Sequence, residues 1–394
     1  MRKIAANYIF PVSAPSIKNG TLLLDDQNRV IKIIDNGGSF SEMEGTEFYN
    51  GILIPGMVNM HCHLELSYMK GCIDRLLKLP GFIRQVNKIR EENKGKSKEE
   101  AALRADRTMF QSGISAIGDI CNSADTIEIK EASAIYYHNF IEIFGSNDLV
   151  AEKALSMGNS LKEMFCSAGL SASVVPHAPY SISPVLLRLL SNYYKINPGI
   201  ISFHNQETAD ERRLFSDHSG ELACLLKEFG TDISGWPAGI RTSSDYLTSV
   251  LQDHTIILVH NTYTDDDDVD LIIASGRDPV WCLCPNANIY IEGKLPEIGM
   301  FRRKGAELVL GTDSYASNDK LSMLEEMKII AQYFPEIPLE EMIRWATING
   351  AKVLQIEDKY GSFDAGKTPG VVLIENVDLN RMTLTNASSS RRIV

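Results

Sequence analysis

Two histidines one residue apart, His61 and His63, close a short apolar run, 52–58, built around a Pro-Gly pair. In extended backbone, residues i and i+2 point to the same side, so both imidazoles can aim at one point. That is a chelating arrangement, because neutral imidazole is the commonest side-chain ligand for zinc, iron and similar ions, yet two ligands do not complete a site. Further donors follow later apolar runs. They are His177 in Val-Val-Pro-His-Ala-Pro-Tyr-Ser, His204 in Ser-Phe-His-Asn-Gln-Glu-Thr with Glu207 three residues on, His260 in Leu-Val-His-Asn-Thr, and Asp313 in Leu-Gly-Thr-Asp-Ser. A lone histidine is usually an ordinary hydrogen-bonded side chain. Five of the chain's eight histidines at the ends of such runs, with an aspartate closing the set, point instead to one shared site.

Those ends must be brought together by the elements between them. Eight strand-length apolar runs, at 52–60, 114–120, 136–144, 172–176, 200–203, 255–259, 280–284 and 307–311, alternate with longer amphipathic stretches. The latter fall at 79–93, 99–111, 150–168, 185–194, 211–229, 266–275, 320–333 and 339–354. Such alternation predicts parallel strands joined by helical crossovers. Eight units with polar groups at their ends describe an α/β fold, a (β/α)8 barrel of the TIM type, whose chemistry lies at the carboxyl ends of the strands. A doubly wound sheet would have fewer strands and a glycine-rich phosphate turn, and no GxGxxG occurs. Strand-like runs at 3–10, 20–25 and 30–35 are matched at the far end by 370–375 and 382–385, which predicts one small β-sandwich formed from both termini. The expected division is 1–50 and 363–394 for the sandwich and 51–362 for the barrel.

With these motifs in place, the chain resembles the amidohydrolase superfamily, in its branch of mononuclear nucleobase and nucleoside deaminases and chlorohydrolases. The resemblance spans nearly the whole chain. It implies that His61, His63, His204 and Asp313 bind one divalent metal, zinc first and iron second, that Glu207 shuttles protons, and that His260 touches the attacking water or the substrate. It further implies a substrate contact for His177. The branch with a carboxylated lysine and two metals is disfavoured, because no lysine ends the fourth run. Chemistry agrees with this division of labour. Three neutral imidazoles leave a metal cationic enough to bring the pKa of bound water to ~7. Asp313 and His260 can orient or deprotonate that water, and a carboxyl such as Glu207 can carry the proton to a ring nitrogen, as in the zinc nucleobase deaminases.

Other candidates carry less. Glu65, in His-Leu-Glu-Leu-Ser, is shared with relatives that include aminodeoxyfutalosine deaminases, and either hydrogen-bonds substrate or serves the structure; S-adenosylhomocysteine deaminases belong to the same circle of resemblance. Arg84, in Pro-Gly-Phe-Ile-Arg, reaches the site from the loop after the first strand or lies solvated on a helix. Cys-Leu-Cys-Pro-Asn-Ala-Asn288 resembles the family's Cys-Pro-x-Ser-Asn with Ala287 in place of serine. Cys282 and Cys284 are expected to pack beneath the site, and His138, His218 and His254 to be structural.

Composition excludes some classes. The chain has 394 residues, 44% of them hydrophobic, and a net charge of −12, which lacks the clustered basic face that nucleic acid requires. No apolar run approaches the ~20 residues of a membrane helix. Seven scattered cysteines and no leader pattern fit a reducing cytoplasm. The expected partners are therefore a small aminated heterocycle and water, without nucleic acid or membrane, and with a homodimer left open as the assembly. The expected reaction is hydrolytic deamination of a purine-like nucleoside or nucleobase. Hydrolysis of a cyclic amide or of a heterocyclic halide at the same site is the alternative, and a non-catalytic binding protein the third reading.

Overall fold

The computed structural model describes residues 1–39, 43–241, 243–248 and 254–394. The apolar runs become eight parallel strands: β1 (Met57–Cys62), β2 (Ile114–Cys121), β3 (Tyr136–Ile143), β4 (Ser171–Pro176), β5 (Ile200–Asn205), β6 (Thr255–His260), β7 (Val280–Leu283) and β8 (Glu307–Leu310). Their hydrogen bonds make two four-stranded sheets, β1-β2-β3-β4 and β5-β6-β7-β8. Most of these strands are buried along nearly their whole length, which is why they read as continuous apolar runs rather than as alternation. Helices such as Lys78–Glu92, Ala151–Ser167 and Pro184–Ile196 follow the strands and return the chain.

The sheets meet at both edges. On one side the backbone N–H of His204 donates to the carbonyl of His177 at 2.9 Å. On the other, the N–H groups of Thr312 and Asp313 both donate to the carbonyl of His61 at 3.0 Å, and Asn59 Nδ2 donates to Thr312 Oγ1 at 2.7 Å. Both contacts lie at the carboxyl ends of strands, so the residues that end them converge.

The two ends of the chain share a seven-stranded mixed sheet. Arg2–Ile9 runs parallel to Thr46–Pro55 and antiparallel to Thr21–Leu24, and Thr46–Pro55 pairs antiparallel with Val371–Glu375. Ile4, Leu22, Leu53, Val371 and Leu373 give that sheet its own apolar cluster.

The run expected as one strand at 52–60 is divided between the two regions. Its first part belongs to Thr46–Pro55 and its second to β1, with Gly56 between them. A Cβ on Gly56 would fall 1.8 Å from Ser115 Oγ and 2.4 Å from the carbonyl of Pro369, so only glycine permits this passage. Two further expectations are corrected. The segment 382–385 forms only an isolated bridge, Asp378 to Thr383, and the last strand is Ser389–Arg392. The amphipathic stretch 211–229 is two helices, Ala209–Asp217 and Glu221–Glu228, broken where His218 takes φ 59° and Gly220 φ 90°. Among the described residues no helix is long and apolar enough to cross a membrane.

Candidate active site

His61 and His63 sit on and just after β1, and their Nε2 atoms lie 3.2 Å apart. Asp313 Oδ1 is 3.5 Å from His61 Nε2 and 3.3 Å from His63 Nε2. The ring of His204, near the end of β5, is centred 4.9 Å from that of His61, and the ring of His260, ending β6, 5.6 Å from it. One ligand atom from each of His61, His63 and His204 lies within 4.8 Å of the others, and the same holds for His61, His260 and Asp313. The structure therefore brings together every residue that the resemblance implies for a metal.

Burial sets their protonation. It pushes the His61 imidazole down to about 4 and His63 and His260 below their ordinary range, so these rings are neutral, the form in which imidazole binds a metal. Burial also opposes the charge of Asp313. The hydrogen bond from His61 and the imidazoles of His63 and His260 outweigh it and keep the carboxyl well below the usual range. A fixed carboxylate among neutral imidazoles, with His61 Nδ1 and His63 Nδ1 buried and without hydrogen-bond partners, is a donor set that a divalent cation fits.

The surrounding backbone is held in uncommon conformations. Gln206 (φ 45°), His260 (φ 75°), Asn261 (φ 56°) and Asp313 (φ 54°) are all left-handed without being glycine. Hydrogen bonds fix them: Asn261 N–H to the Asn205 carbonyl at 3.0 Å, Asp313 N–H to His61, and Gln206 N–H to Glu211 Oε2 at 3.1 Å. Strain of this kind persists only where neighbours over-determine it, as these hydrogen bonds do at the strand ends that carry the site.

Side chains behind the cluster orient it. His204 Nδ1 bonds the carbonyl of His177 at 2.8 Å, which leaves Nε2 facing inward. His260 Nδ1 pairs with Oδ1 of Asn288, the last residue of Cys-Pro-Asn-Ala-Asn, at 2.8 Å. The hydroxyl of Ser317 bonds Asp313. Glu207 is fully enclosed, with Oε1 3.8 Å from His260 Nε2, and burial pushes its carboxyl well above the usual range. Its own N–H donates to Glu211 Oε1 at 2.8 Å. Glu211 thereby collects two of the N–H groups preceding the helix Ala209–Asp217 and fixes where Glu207 stands.

A cavity of about 270 Å³ opens above these groups. His63, His177, His204, Glu207, His260 and Asp313 line its polar side, and Leu79, Phe82, Val86, Phe144, Leu225 and Phe229 form much of the remainder. His177, with Nδ1 2.8 Å from Ser181 Oγ, is thus on the wall. Two expected substrate contacts are not brought to it. Glu65 turns away and accepts from the N–H groups of Asn122 at 3.0 Å and Ser123 at 3.2 Å. Arg84 lies outside, in a bidentate pair with Glu228 at 3.0 and 2.9 Å, because its position on Lys78–Glu92 faces the helix Glu221–Glu228. Cys282 and Cys284 are buried beneath the site, and among the described residues no candidate metal group includes a cysteine.

Sequence reasoning missed Glu142, Asp119 and Lys130. Glu142, on β3, lines the cavity, while Lys130 Nζ meets Asp119 Oδ2 at 2.6 Å and Asp119 accepts the N–H of Leu64 at 2.8 Å, steadying the loop after His63. A signal was present: each carboxylate is the one acidic residue in an otherwise apolar or neutral strand.

The amidohydrolase family model matches residues 52–393. The chain belongs to the amidohydrolase family. Among its relatives is the 5-methylthioadenosine/S-adenosylhomocysteine deaminase of Teredinibacter turnerae, 24% identical over 406 residues, covering 98% of this chain and 86% of that protein. The 5'-deoxyadenosine deaminase of Methanocaldococcus jannaschii is 27% identical, covering 86% and 78%. In fold this amidohydrolase is similar to the aminofutalosine deaminase of Helicobacter pylori solved with methylthio-coformycin, with a TM-score of 0.80 at 20% identity over 98% of this chain and 94% of that one.

Proposed function

We propose that this amidohydrolase hydrolytically deaminates an adenine-type nucleoside. The observation that carries the reading is the enclosed carboxyl of Glu207, 3.8 Å from His260 Nε2 in the same cavity as the imidazole and aspartate cluster. His61, His63, His204 and Asp313 would hold one divalent ion, with zinc ahead of iron, which when bound supplies a Lewis acid that lowers the pKa of water to about 7. Asp313 and His260 orient the attacking water and accept its proton. Glu207, whose carboxyl burial holds well above the usual range, donates to a ring nitrogen, which makes the amidine carbon electrophilic; the proton taken from the water leaves with ammonia, and the hydroxyl proton of the adduct restores Glu207 as the carbonyl forms. His177 contacts the substrate from the wall. The cavity wall of Phe82, Val86 and Phe144, with Arg90 also on it, would take the substituent at the 5' position, which in the names of the relatives ranges from deoxy and methylthio to S-homocysteinyl.

The same reading extends to architecture and location. The two sheets would be halves of one (β/α)8 barrel spanning about 51–362, supported by the hydrogen bonds at both seams, with 1–50 and 363–394 as a small β-sandwich and the working boundary at Gly56. Seven cysteines, all free thiols in the structure, favour a cytoplasmic enzyme. The test is ammonia release from a panel of adenine nucleosides beside halide and cyclic-amide substrates, with metal analysis of protein purified without added metal. Turnover of the nucleosides by an enzyme with about one ion per chain is expected. Release of halide alone would overturn the proposal.

A further inference from the structure

We propose that Glu142 reads the sugar of the substrate, its carboxylate accepting hydrogen bonds from the vicinal hydroxyls of a nucleoside; this rests on the deaminase reading above. Glu142 stands near the end of β3 and lines the same cavity as Glu207 and Asp313. Its side chain is 4% exposed, and among the described residues Oε1 has no hydrogen-bond partner. A buried carboxylate oxygen without a donor is costly, and a ligand that supplies the donor removes that cost.

The neighbouring protein donors are already committed. His204 Nδ1 is 3.5 Å from Glu142 Oε1, but it bonds the His177 carbonyl at 2.8 Å. His177 Nδ1 is engaged with Ser181 Oγ. Asn122 Nδ2 donates to the other oxygen, Oε2, at 3.0 Å and to the Glu142 carbonyl at 3.3 Å, so the carboxylate is aimed from behind with Oε1 free. A carboxylate only accepts, which matches two neutral hydroxyls and repels phosphate. Position agrees, since Glu142 stands beside His204, whose ring lies near the reacting end, while the apolar residues take what extends beyond the sugar.

A rival arrangement exists, because ligand atoms of Glu142, His177 and His204 also lie within 4.8 Å of one another and could hold a second cation. The experiment compares an adenine nucleoside with its 2',3'-dideoxy counterpart on wild type and on Glu142→Gln, with metal content and melting temperature measured for both proteins. Wild type should prefer the diol by ~10–10²-fold in kcat/KM, the scale of hydrogen bonds to a charged group. Glu142→Gln should lose that preference through the diol alone, mainly in KM, and keep its ion. Equal losses on both substrates would mean that Glu142 acts through His204, and a lost ion would place it in a cation site; either overturns the proposal. The wild-type comparison needs no variant to fold. If wild type deaminates both nucleosides equally, only the sugar assignment fails. If it deaminates neither, the deaminase reading fails and this one with it.

Discussion

Asp119 and Asp313 both lie at the carboxyl ends of buried parallel strands, and both touch the segment that carries His61 and His63, yet they are balanced differently. Asp119 faces Lys130, a buried cation 2.6 Å away, and an N–H of the loop. Asp313 faces imidazoles and a serine hydroxyl, and among the described residues it makes no ion pair with lysine or arginine. A buried charge needs a partner. Asp119 has one within the protein and is structurally complete, whereas Asp313 is surrounded by neutral rings and would be completed by the proposed cation.

The largest expected effect breaks the second arrangement. Asp313→Asn and His61→Ala should each lose the ion and bring turnover to background while the fold persists at room temperature. Metal analysis with ammonia release is the check, and a purified variant that kept one ion at unchanged affinity would contradict the ligand assignment. Glu207→Gln comes next. It preserves shape and hydrogen bonding without a transferable proton, so kcat should fall ~10²–10⁴-fold with metal content near wild type. An emptied metal site in this variant would make Glu207 a ligand.

Breaking the first arrangement should cost stability. Asp119→Asn strands the Lys130 ammonium in the interior, and losses of ~3–5 kcal/mol are usual when one partner of a buried pair is removed. Denaturant titration reads this directly. The double variant Asp119→Asn/Lys130→Met should recover much of it, since no unpaired charge remains; failure to recover would mean that Asp119 matters through Leu64 rather than through Lys130.

This contrast also explains what was legible beforehand. His61, His63, His204, Glu207, His260 and Asp313 were readable because each follows an apolar run in a repeated strand-then-donor pattern. Asp119 and Glu142 lie inside such runs, where the pattern was read as packing, and their partners Lys130 and Asn122 come from segments that the periodicity does not connect to them. Arg84 and Glu65 stand apart from the cavity, the structural alternative that the sequence left open for each, for a related reason. Closeness in sequence to the site does not decide which way a helical side chain turns, and tertiary partners decided it. The division of 52–60 at Gly56 was hidden because both sheets ask for the same apolar residues.

A third buried carboxyl sharpens the comparison, since among the described residues Glu326 pairs with neither a cation nor an imidazole. It accepts from Asn286 N–H and Asn318 Nδ2, each at 2.9 Å, and burial pushes it up to about 8. Its folded pKa exceeds the ordinary ~4.3 of the unfolded chain, so between those values the native state holds the extra proton. Stability should therefore fall as pH rises through that window and level off above about 8. Glu326→Gln, which keeps the neutral shape, should flatten that decline; an unchanged slope would assign the pH dependence elsewhere.

The smallest effect belongs to a pair at the surface. Arg84 and Glu228 form good bidentate geometry, but their side chains are 39% and 52% exposed, so water screens the charges and little is gained over the separated ions. Arg84→Ala should leave the melting temperature nearly unchanged and shift it still less in high salt. Because Arg84 does not line the cavity, kcat and KM should both stay at wild-type values. The pair does join the helices Lys78–Glu92 and Glu221–Glu228, whose apolar residues Phe82, Val86 and Leu225 form the mouth. A rise in KM for nucleosides with a long 5' substituent, with short ones unaffected, would show that this exposed pair sets the width of the mouth. Surface charge would then contribute to specificity here, against the contrast drawn from Asp119 and Asp313.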